Sequence, residues 1–142
     1  MNSKLIAKSV SFLLLLSSCA NQALVPPMPE TALISIAQDA TGQLVSLYPP
    51  AQTHLVLESD GRNVFGDKFE NQLRQSGYAL YEMTDKSQGQ PQGKRFAYIL
   101  DALNDVSHYG YYRLTLNIGD EQLSRLYDAN DLSKPNYWSY RK

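Results

Sequence analysis

Cys19 is the residue whose position gives it a defined chemistry. It is the only cysteine in the 142 residues, and it follows Leu16-Ser17-Ser18 at the end of a largely apolar block from Val10 to Leu16. Lys4 and Lys8 precede that block. A basic region, about 7–15 apolar residues and small residues at a cleavage site together indicate a secretory signal peptide. The cysteine thiolate is a nucleophile that can take a covalent group, and no other side chain here could replace it in that chemistry.

The residues from Leu16 to Cys19 resemble the lipobox of bacterial lipoproteins. The resemblance implies a signal peptide at residues 1–18, a diacylglycerol on the Cys19 sulfur and an N-acyl chain on the new amino terminus. One acyl chain anchors a protein only marginally, whereas three chains would hold it on the membrane almost permanently. Ala20, in place of Asp, resembles the signal for export to the outer membrane. The alternative is an ordinary secretory signal whose cleavage site happens to contain a cysteine.

The rest of the chain has no recognisable catalytic pattern. His54 and His108 are far apart in sequence and lack metal-ligand spacing. Asp101 and Asp105 flank a predicted turn, where paired carboxylates are usually solvated. We therefore predict that the protein is not an enzyme and that it binds no metal.

Composition excludes further function classes. Removal of residues 1–18 leaves 124 residues, enough for one domain with its own core. The chain has 13 basic and 14 acidic residues, and without Lys4 and Lys8 the balance is 11 against 14. The mature net charge of about −3 and the lack of a basic stripe give nucleic-acid binding no electrostatic basis. No second cysteine is present to form a disulfide.

Residues 19–29 are predicted to be a proline-rich tether ahead of a single globular domain at residues 30–142. Pro26, Pro27 and Pro29 favour an extended, semi-rigid spacer. The spacer either lifts the domain off the membrane or becomes ordered when a partner binds it, and the sequence leaves both possibilities open.

Two helices are predicted in the first half of the domain. The first begins after a Thr31 N-cap and ends near Tyr48, before two prolines. Helical spacing predicts its buried residues, which are Leu33, Ile36, Ala37, Ala40, Leu44 and Leu47, widened by Ile34, Val45 and Tyr48. The second helix spans about residues 63–76, with Asp60 or Asn63 as its cap and Gly77 as its left-handed C-terminal residue. Its predicted buried residues are Phe65, Phe69 and Leu73, with Val64 alongside.

Alternating apolar residues predict five strands, at about residues 53–58, 78–83, 95–103, 108–118 and 121–128. Turns are predicted at residues 59–61 and 104–107, loops at 86–94 and 128–136, and a tight hairpin at Gly119-Asp120. Arg113 and Arg125 occur in the two strands of that hairpin. Because like charges directly opposite would repel, the register or a nearby acid must separate them.

The predicted order, α-β-α-β-β-β-β, fits an α+β domain with two helices packed on a mostly antiparallel sheet. Tyrosine is frequent, with ten in the chain, and its rigid apolar ring with a polar tip is common at interfaces. The candidate partner-binding residues are Tyr109, Tyr111, Tyr137 and Trp138. Alternatively, the tyrosines simply suit β-strands, and Trp138 closes the domain's own core.

Four blocks of sequence carry a family resemblance. They are Leu47-Tyr48-Pro49-Pro50, the segment from Phe65-Gly66 to Gly77-Tyr78, the strand from Tyr111 to Leu116 with Gly119, and the ending from Ser124-Arg125 to Trp138 and Arg141-Lys142. Together with the lipobox, they resemble TrbH, the lipoprotein family of conjugative transfer systems, over most of the mature chain.

The resemblance implies a structural subunit of a type IV secretion core complex, anchored in the outer membrane and facing the periplasm. Such a subunit would bind VirB-type periplasmic and channel-forming proteins in a ring. Some lipoproteins of this kind carry a domain similar to the N-terminal domain of secretins, which is also α+β. The resemblance implies no catalytic residue and no cofactor beyond the lipid on Cys19. Alternative hypotheses are a free-standing envelope lipoprotein that binds peptidoglycan or lipid, and an envelope-anchored hydrolase.

Overall fold

The computed structural model describes residues 25–58, 63–83, 92–103 and 110–142. The helices are α1 (Glu30–Leu47) and α2 (Val64–Gln75), with a 3-10 turn at Pro50–Gln52. The strands are β1 (His54–Leu57), β2 (Ala79–Glu82), β3 (Lys94–Leu103), β4 (Tyr111–Ile118), β5 (Glu121–Asp128) and β6 (Ser139–Arg141). The turns predicted at residues 59–61 and 104–107, and most of the predicted loop at 86–94, lie outside the described residues.

The six described strands form one sheet in the order β2-β1-β3-β4-β5-β6. β1 runs parallel to β2 and β3, and the three other pairings are antiparallel. α2 connects β1 to β2, because parallel neighbours need a crossover. The predicted α+β class and mostly antiparallel sheet are confirmed. The sequence analysis did not predict the edge strand β6. Its three residues are too few to show an alternation of apolar and polar side chains.

Both helices pack on the same face of the sheet. The rings of Phe65 and Phe69 in α2 meet those of Phe96 and Tyr98 in β3, with centroids 5.2 to 5.9 Å apart. From α1, Leu33, Ile36, Ala37, Ala40 and Leu44 join the same core, as predicted. Burial of each large apolar side chain contributes about 1.5–3 kcal/mol, so this layer supplies much of the stability of the fold.

The ends of α2 follow the sequence prediction. The Asn63 side chain accepts a hydrogen bond from the Gly66 N–H at 2.8 Å, which satisfies one of the free donors at the helix start. Gly77 adopts a φ of +94°, the left-handed conformation expected of a residue that ends a helix. Val64 is 60% exposed, so its predicted burial is wrong. It is the first helical residue and lies on the same side as Lys68, one turn later, away from the aromatic stripe.

The start of α1 and part of its predicted buried face differ from expectation. α1 begins at Glu30 with Pro29 in the N-cap position, so the Thr31 cap is wrong. Pro29 has no side-chain acceptor, and its backbone carbonyl accepts hydrogen bonds from the N–H groups of Ala32 and Leu33, at 2.9 and 3.3 Å. Leu47, Ile34 and Val45 are exposed and were predicted to be buried. The buried stripe is narrower than predicted, and Tyr48 fills the core at the helix end instead of Leu47.

The β4–β5 hairpin has the predicted two-residue turn. Ile118 pairs with Glu121, and Gly119 between them has a φ of +60°. This left-handed conformation suits the tight turn that connects two twisted antiparallel strands.

The described part of the predicted tether lies on the domain. Val25 and Met28 pack against the core, and Pro26 is buried. Residues 25–29 are therefore part of the domain surface, and the remainder of the predicted tether lies outside the described residues.

Candidate interaction site

The sheet has a second face that neither α1 nor α2 covers, which we call the open face. Tyr98 and Leu100 of β3 point to the helices and are buried, whereas Ile99 between them is 47% exposed. The pairing register places further residues on the side of Ile99, namely Asp101 and Leu103 of β3, Tyr111, Arg113 and Thr115 of β4, and Ser124 and Leu126 of β5. The open face thus mixes apolar and polar side chains.

An ion pair lies across the open face. Asp101 and Arg113 are directly opposite in the β3–β4 pairing. The guanidinium donates two hydrogen bonds to the carboxylate, at 3.1 Å from Nε and 2.6 Å from Nη2. These bonds with Asp101 raise the pKa of Arg113. Both side chains remain partly exposed, so the pair contributes little to stability and leaves charge available at the surface.

Arg125 forms a denser cluster on the helix-covered face. Its Nη1 lies 2.9 Å from both carboxylate oxygens of Asp39 in α1, and its Nε donates to the Asn136 carbonyl at 2.6 Å. Tyr127 also donates to Asp39, at 2.7 Å. The guanidinium lies 6.0 Å from the Tyr127 ring centroid and 5.4 Å from that of Trp138. This cluster, which we call the Arg125 cluster, fastens the C-terminal segment to α1.

The register resolves the predicted repulsion between the two arginines. Arg113 opposes Leu126, and Arg125 opposes Leu114, so the two side chains lie on opposite faces of the sheet. Each arginine also has its own aspartate. The expectation that the register or a nearby acid separates them is confirmed, since the structure has both the register and an aspartate beside each arginine.

The hydroxyl groups of Tyr127 and Tyr98 on the covered face are hydrogen-bonded to carboxylates of the helices. Burial raises the pKa of Tyr127 far above its ordinary value, and the hydrogen bond to Asp39 raises it further. Burial likewise raises the pKa of Tyr98, whose hydroxyl donates to Glu70 at 2.8 Å. Both tyrosines therefore stay neutral and act as hydrogen-bond donors that join the sheet to the helices.

The predicted partner-binding residues lie in three different environments. Tyr137 is 98% exposed and lines a groove on the open face with Leu103 and Leu126. Tyr111 is half-buried at the beginning of β4, on the same face. Trp138 lies on the other side and packs against the core. Tyr109 lies outside the described residues, as does Cys19.

Trp138 is positioned by the Arg125 cluster and by the core. Its indole N–H is buried and has no hydrogen-bond partner among the described residues. The ring lines a groove of about 340 Å³, which also has Gln43, Leu47, Tyr48, Glu121, Leu123 and Tyr140 in its walls. This placement matches the alternative in which Trp138 closes the domain's own core.

Glu121 organises the polar wall of that groove. Its carboxylate accepts hydrogen bonds from the hydroxyl groups of Tyr140, at 2.6 Å, and Tyr48. These bonds, first that of Tyr140, lower the pKa of Glu121. Desolvation raises the pKa of Tyr48 well above its ordinary value, with Glu121 adding to the effect. Glu121 therefore joins the end of α1 to the edge strand β6.

Sequence reasoning missed Asp39 and Glu121 as organising residues. The signal for Asp39 is its position between Ile36 and Ala40 on the apolar stripe of α1, where a carboxylate requires a partner. Glu121 carries no such signal, because its partners come from distant parts of the chain.

Within the described residues, no cluster of three or more His, Cys, Asp or Glu side chains could hold a metal ion. His54 is exposed on β1, with its ring 5.9 Å from that of Tyr81. None of the described helices is long and apolar enough to span a membrane.

Comparison with protein families identifies this chain. Residues 18–141 match the family described as conjugal transfer protein TrbH. Comparison with curated proteins and with solved structures gave no significant match, so the likeness to the secretin N-terminal domain stays a prediction. The family match spans both the helix-covered and the open face of the sheet, together with the Arg125 cluster, and the chain therefore belongs to the TrbH family of conjugal transfer proteins.

Proposed function

We propose that this protein is an outer-membrane lipoprotein that serves as a structural subunit of a conjugative type IV secretion core complex. The observation that carries the proposal is the family match at residues 18–141, which begins one residue before Cys19. In this proposal Cys19 carries a diacylglycerol and an N-acyl chain. The domain faces the periplasm and binds VirB-type periplasmic and channel-forming subunits as part of a ring.

The open face supports the proposal because it offers a partner both apolar and directional contacts. Tyr137 projects fully into solvent beside half-buried Leu126, and Ile99 adds exposed apolar area. The Asp101–Arg113 pair lies on the same face and can order a partner's polar groups. Interfaces commonly combine tyrosine and arginine in this way. In a ring, many weak contacts of this kind add up to stable assembly.

The proposal assigns no catalytic role to this protein. The carboxylates that the fold brings together are engaged in structural contacts, Asp39 with Arg125 and Tyr127, and Glu121 with Tyr48 and Tyr140. Those contacts join secondary-structure elements of the domain, so these carboxylates have structural roles in the fold.

The test is an affinity pull-down from detergent-solubilised envelopes of conjugation-competent cells, with wild type and Cys19→Ser compared. We expect channel subunits to co-purify with wild type and to be lost or reduced with Cys19→Ser. Recovery of the protein alone, with membrane residence still dependent on Cys19, would contradict the core-complex role. That outcome would favour a free-standing envelope lipoprotein that binds peptidoglycan or lipid.

A surface variant makes the test more specific. Tyr137→Ala should reduce co-purification without changing membrane residence, because the side chain is 98% exposed and has no role in the fold. Tyr81→Ala is the matched control, since Tyr81 is an exposed tyrosine on the edge strand β2, distant from the β5–β6 side of the open face. Equal loss with both variants would remove Tyr137 from the proposed interface.

A further inference from the structure

One end of the sheet holds the segment that leads to Cys19, and we call it the anchor end. Pro26 is buried there, and Pro27 beside it is exposed. Both line a shallow groove whose other walls are Ala102, Leu103, Gly110, Tyr111, Tyr112 and Ala129. These positions are where β3 and β5 end and where β4 begins. The N-terminal segment therefore leaves the domain at a defined end of the sheet.

The sequence limits the distance between this end and the proposed lipid. Cys19 is six residue steps from Val25, the first described residue, with five residues between them. Even a fully extended chain of that length spans only about 20 Å. β4 runs away from the anchor end for eight residues and places the hairpin at Gly119 about 24 Å farther off. A lipid on Cys19 would therefore keep the anchor end within about 20 Å of the membrane, whereas the hairpin end could lie farther away.

The groove at the anchor end differs in charge from the hairpin end. None of the residues that line the groove at the anchor end is charged. Tyr111 and Tyr112 contribute half-buried rings, and tyrosine is favoured where hydrocarbon meets water. The nearby carboxylate of Asp128 accepts a hydrogen bond from the Asn130 N–H at 2.8 Å.

Exposed charge lies at the hairpin end and also just outside the groove, at Asp131 and Lys134 in the turn after β5. The exposed charged side chains at the hairpin end include Lys94, Arg95, Asp120, Arg141 and Lys142. Four of these five side chains are cations, which anionic headgroups would attract, so the preference for the anchor end rests on the short tether and on the uncharged groove.

We infer that the anchor end is a membrane-contact surface, whose groove at Pro27, Leu103 and Tyr111 rests on the lipid headgroups of the leaflet that holds the acyl chains of Cys19. The inference rests on the lipid anchor of the proposed function. A short tether raises the local concentration of its attached surface into the millimolar range, so a weak contact with lipid is occupied. In this arrangement Tyr111 contacts lipid, whereas Tyr137 and its neighbours on the open face contact the partner proteins.

The test uses the lipidated full-length protein in nanodiscs of phosphatidylethanolamine and phosphatidylglycerol. A fluorophore is attached to Ala129→Cys at the anchor end or to Asp120→Cys at the hairpin end, both exposed positions. The thioether at Cys19 leaves the introduced cysteine as the reactive thiol. Headgroup spin-labelled lipid serves as the quencher. We expect quenching to be several-fold stronger at position 129, and equal or reversed quenching would overturn the inference.

A charge variant tests the groove itself. Pro27→Glu places a carboxylate against anionic lipid and should weaken quenching at position 129, while circular dichroism confirms the fold. Gln52→Glu adds the same charge at an exposed position after the end of α1 and should leave quenching unchanged. If Pro27→Glu has no effect, the groove does not contact lipid. Quenching at position 129 by a spin-labelled second copy but not by lipid would assign the groove to another copy and overturn the inference.

Cys19→Ser separates this inference from the proposed function. If that variant remains in membranes as efficiently as wild type, the lipid anchor itself fails. If membrane residence depends on Cys19 but the two labels are quenched equally, the anchor stands and only the orientation is overturned.

Discussion

The two faces of the sheet use similar residues for different purposes. On the covered face, Arg125 is held by Asp39, Asn136 and two aromatic rings, and only 17% of its side chain is exposed. On the open face, Arg113 bonds Asp101 as its one partner among the described residues and is 46% exposed. An arginine–aspartate pair therefore joins distant elements on the covered face, whereas the pair on the open face remains accessible. The comparison teaches that the contacts joining distant elements are concentrated under the helices, whereas the described charges of the open face remain partly exposed.

The largest expected contrast concerns apolar truncation. Phe69→Ala removes a fully buried ring from the aromatic cluster and should lower the free energy of unfolding by about 3–5 kcal/mol. Ile99→Ala on the open face should cost about 1 kcal/mol or less. Urea unfolding of the purified proteins measures both values. Similar losses in the two variants would contradict the division between the faces.

Replacement of the arginine on the covered face should likewise cost more stability than replacement of the arginine on the open face. Arg125→Met breaks the Asp39 contact and the link to the C-terminal segment, and should cost about 2 kcal/mol, below the range for fully buried pairs. Arg113→Met should cost less than about 1 kcal/mol, because its partner remains solvated. The same unfolding experiment applies. A greater loss for Arg113 would mean that the open face contributes to stability through its charges.

A buried hydroxyl gives a smaller, pH-dependent effect. The Tyr78 hydroxyl donates to the Tyr48 carbonyl at 2.6 Å, so Tyr78→Phe should cost about 1 kcal/mol at neutral pH. Burial raises the pKa of Tyr78 to about 12. Since the unfolded pKa is about 10, the folded state retains the proton longer, and stability should fall as pH rises from about 10 through 12.

Unfolding midpoints measured across that pH window test the alkaline effect. Tyr78→Phe should make the decline shallower than in wild type, because one of the buried titrating groups is gone. Tyr81→Phe, at an exposed position on β2, is the control. Parallel declines in wild type and Tyr78→Phe would show that this hydroxyl does not contribute.

The smallest expected change in stability belongs to Tyr137. Its side chain is 98% exposed, so Tyr137→Ala should change the free energy of unfolding by less than about 0.5 kcal/mol. Thermal unfolding of the purified variant measures this. A loss of 2 kcal/mol or more, on the order expected for buried contacts, would place Tyr137 in the fold rather than in an interface.

Local signals in the sequence predicted most of the fold. The Phe65, Phe69 and Leu73 stripe, the Asn63 cap and the Gly119 turn each depend on residues close in sequence, and all three are confirmed. Alternation of apolar residues also predicted strands close to β3, β4 and β5. The exposed Ile34 and Val45 were missed because helical spacing gives a stripe but not its width, which depends on what packs against it.

The interaction surface was harder to predict than the fold. The sequence identified Tyr137, but it could not separate it from Trp138, which lies next to it in the chain and on the other side of the sheet. That difference depends on the pairing of β6 with β5 and on the Arg125 cluster, both of which join residues distant in sequence. Asp39 and Arg125 are 86 residues apart, so no local pattern connects them.

Site-specific photo-crosslinking in conjugation-competent cells tests the central claim most directly. A photoreactive residue replaces Ile99 on the open face or, as a control, Val45 on the exposed side of α1, which are similarly accessible at 47% and 38%. We predict that position 99 crosslinks to a channel subunit of the transfer apparatus and that position 45 does not. Crosslinks to such a subunit from position 45 alone, or from neither position, would contradict the account.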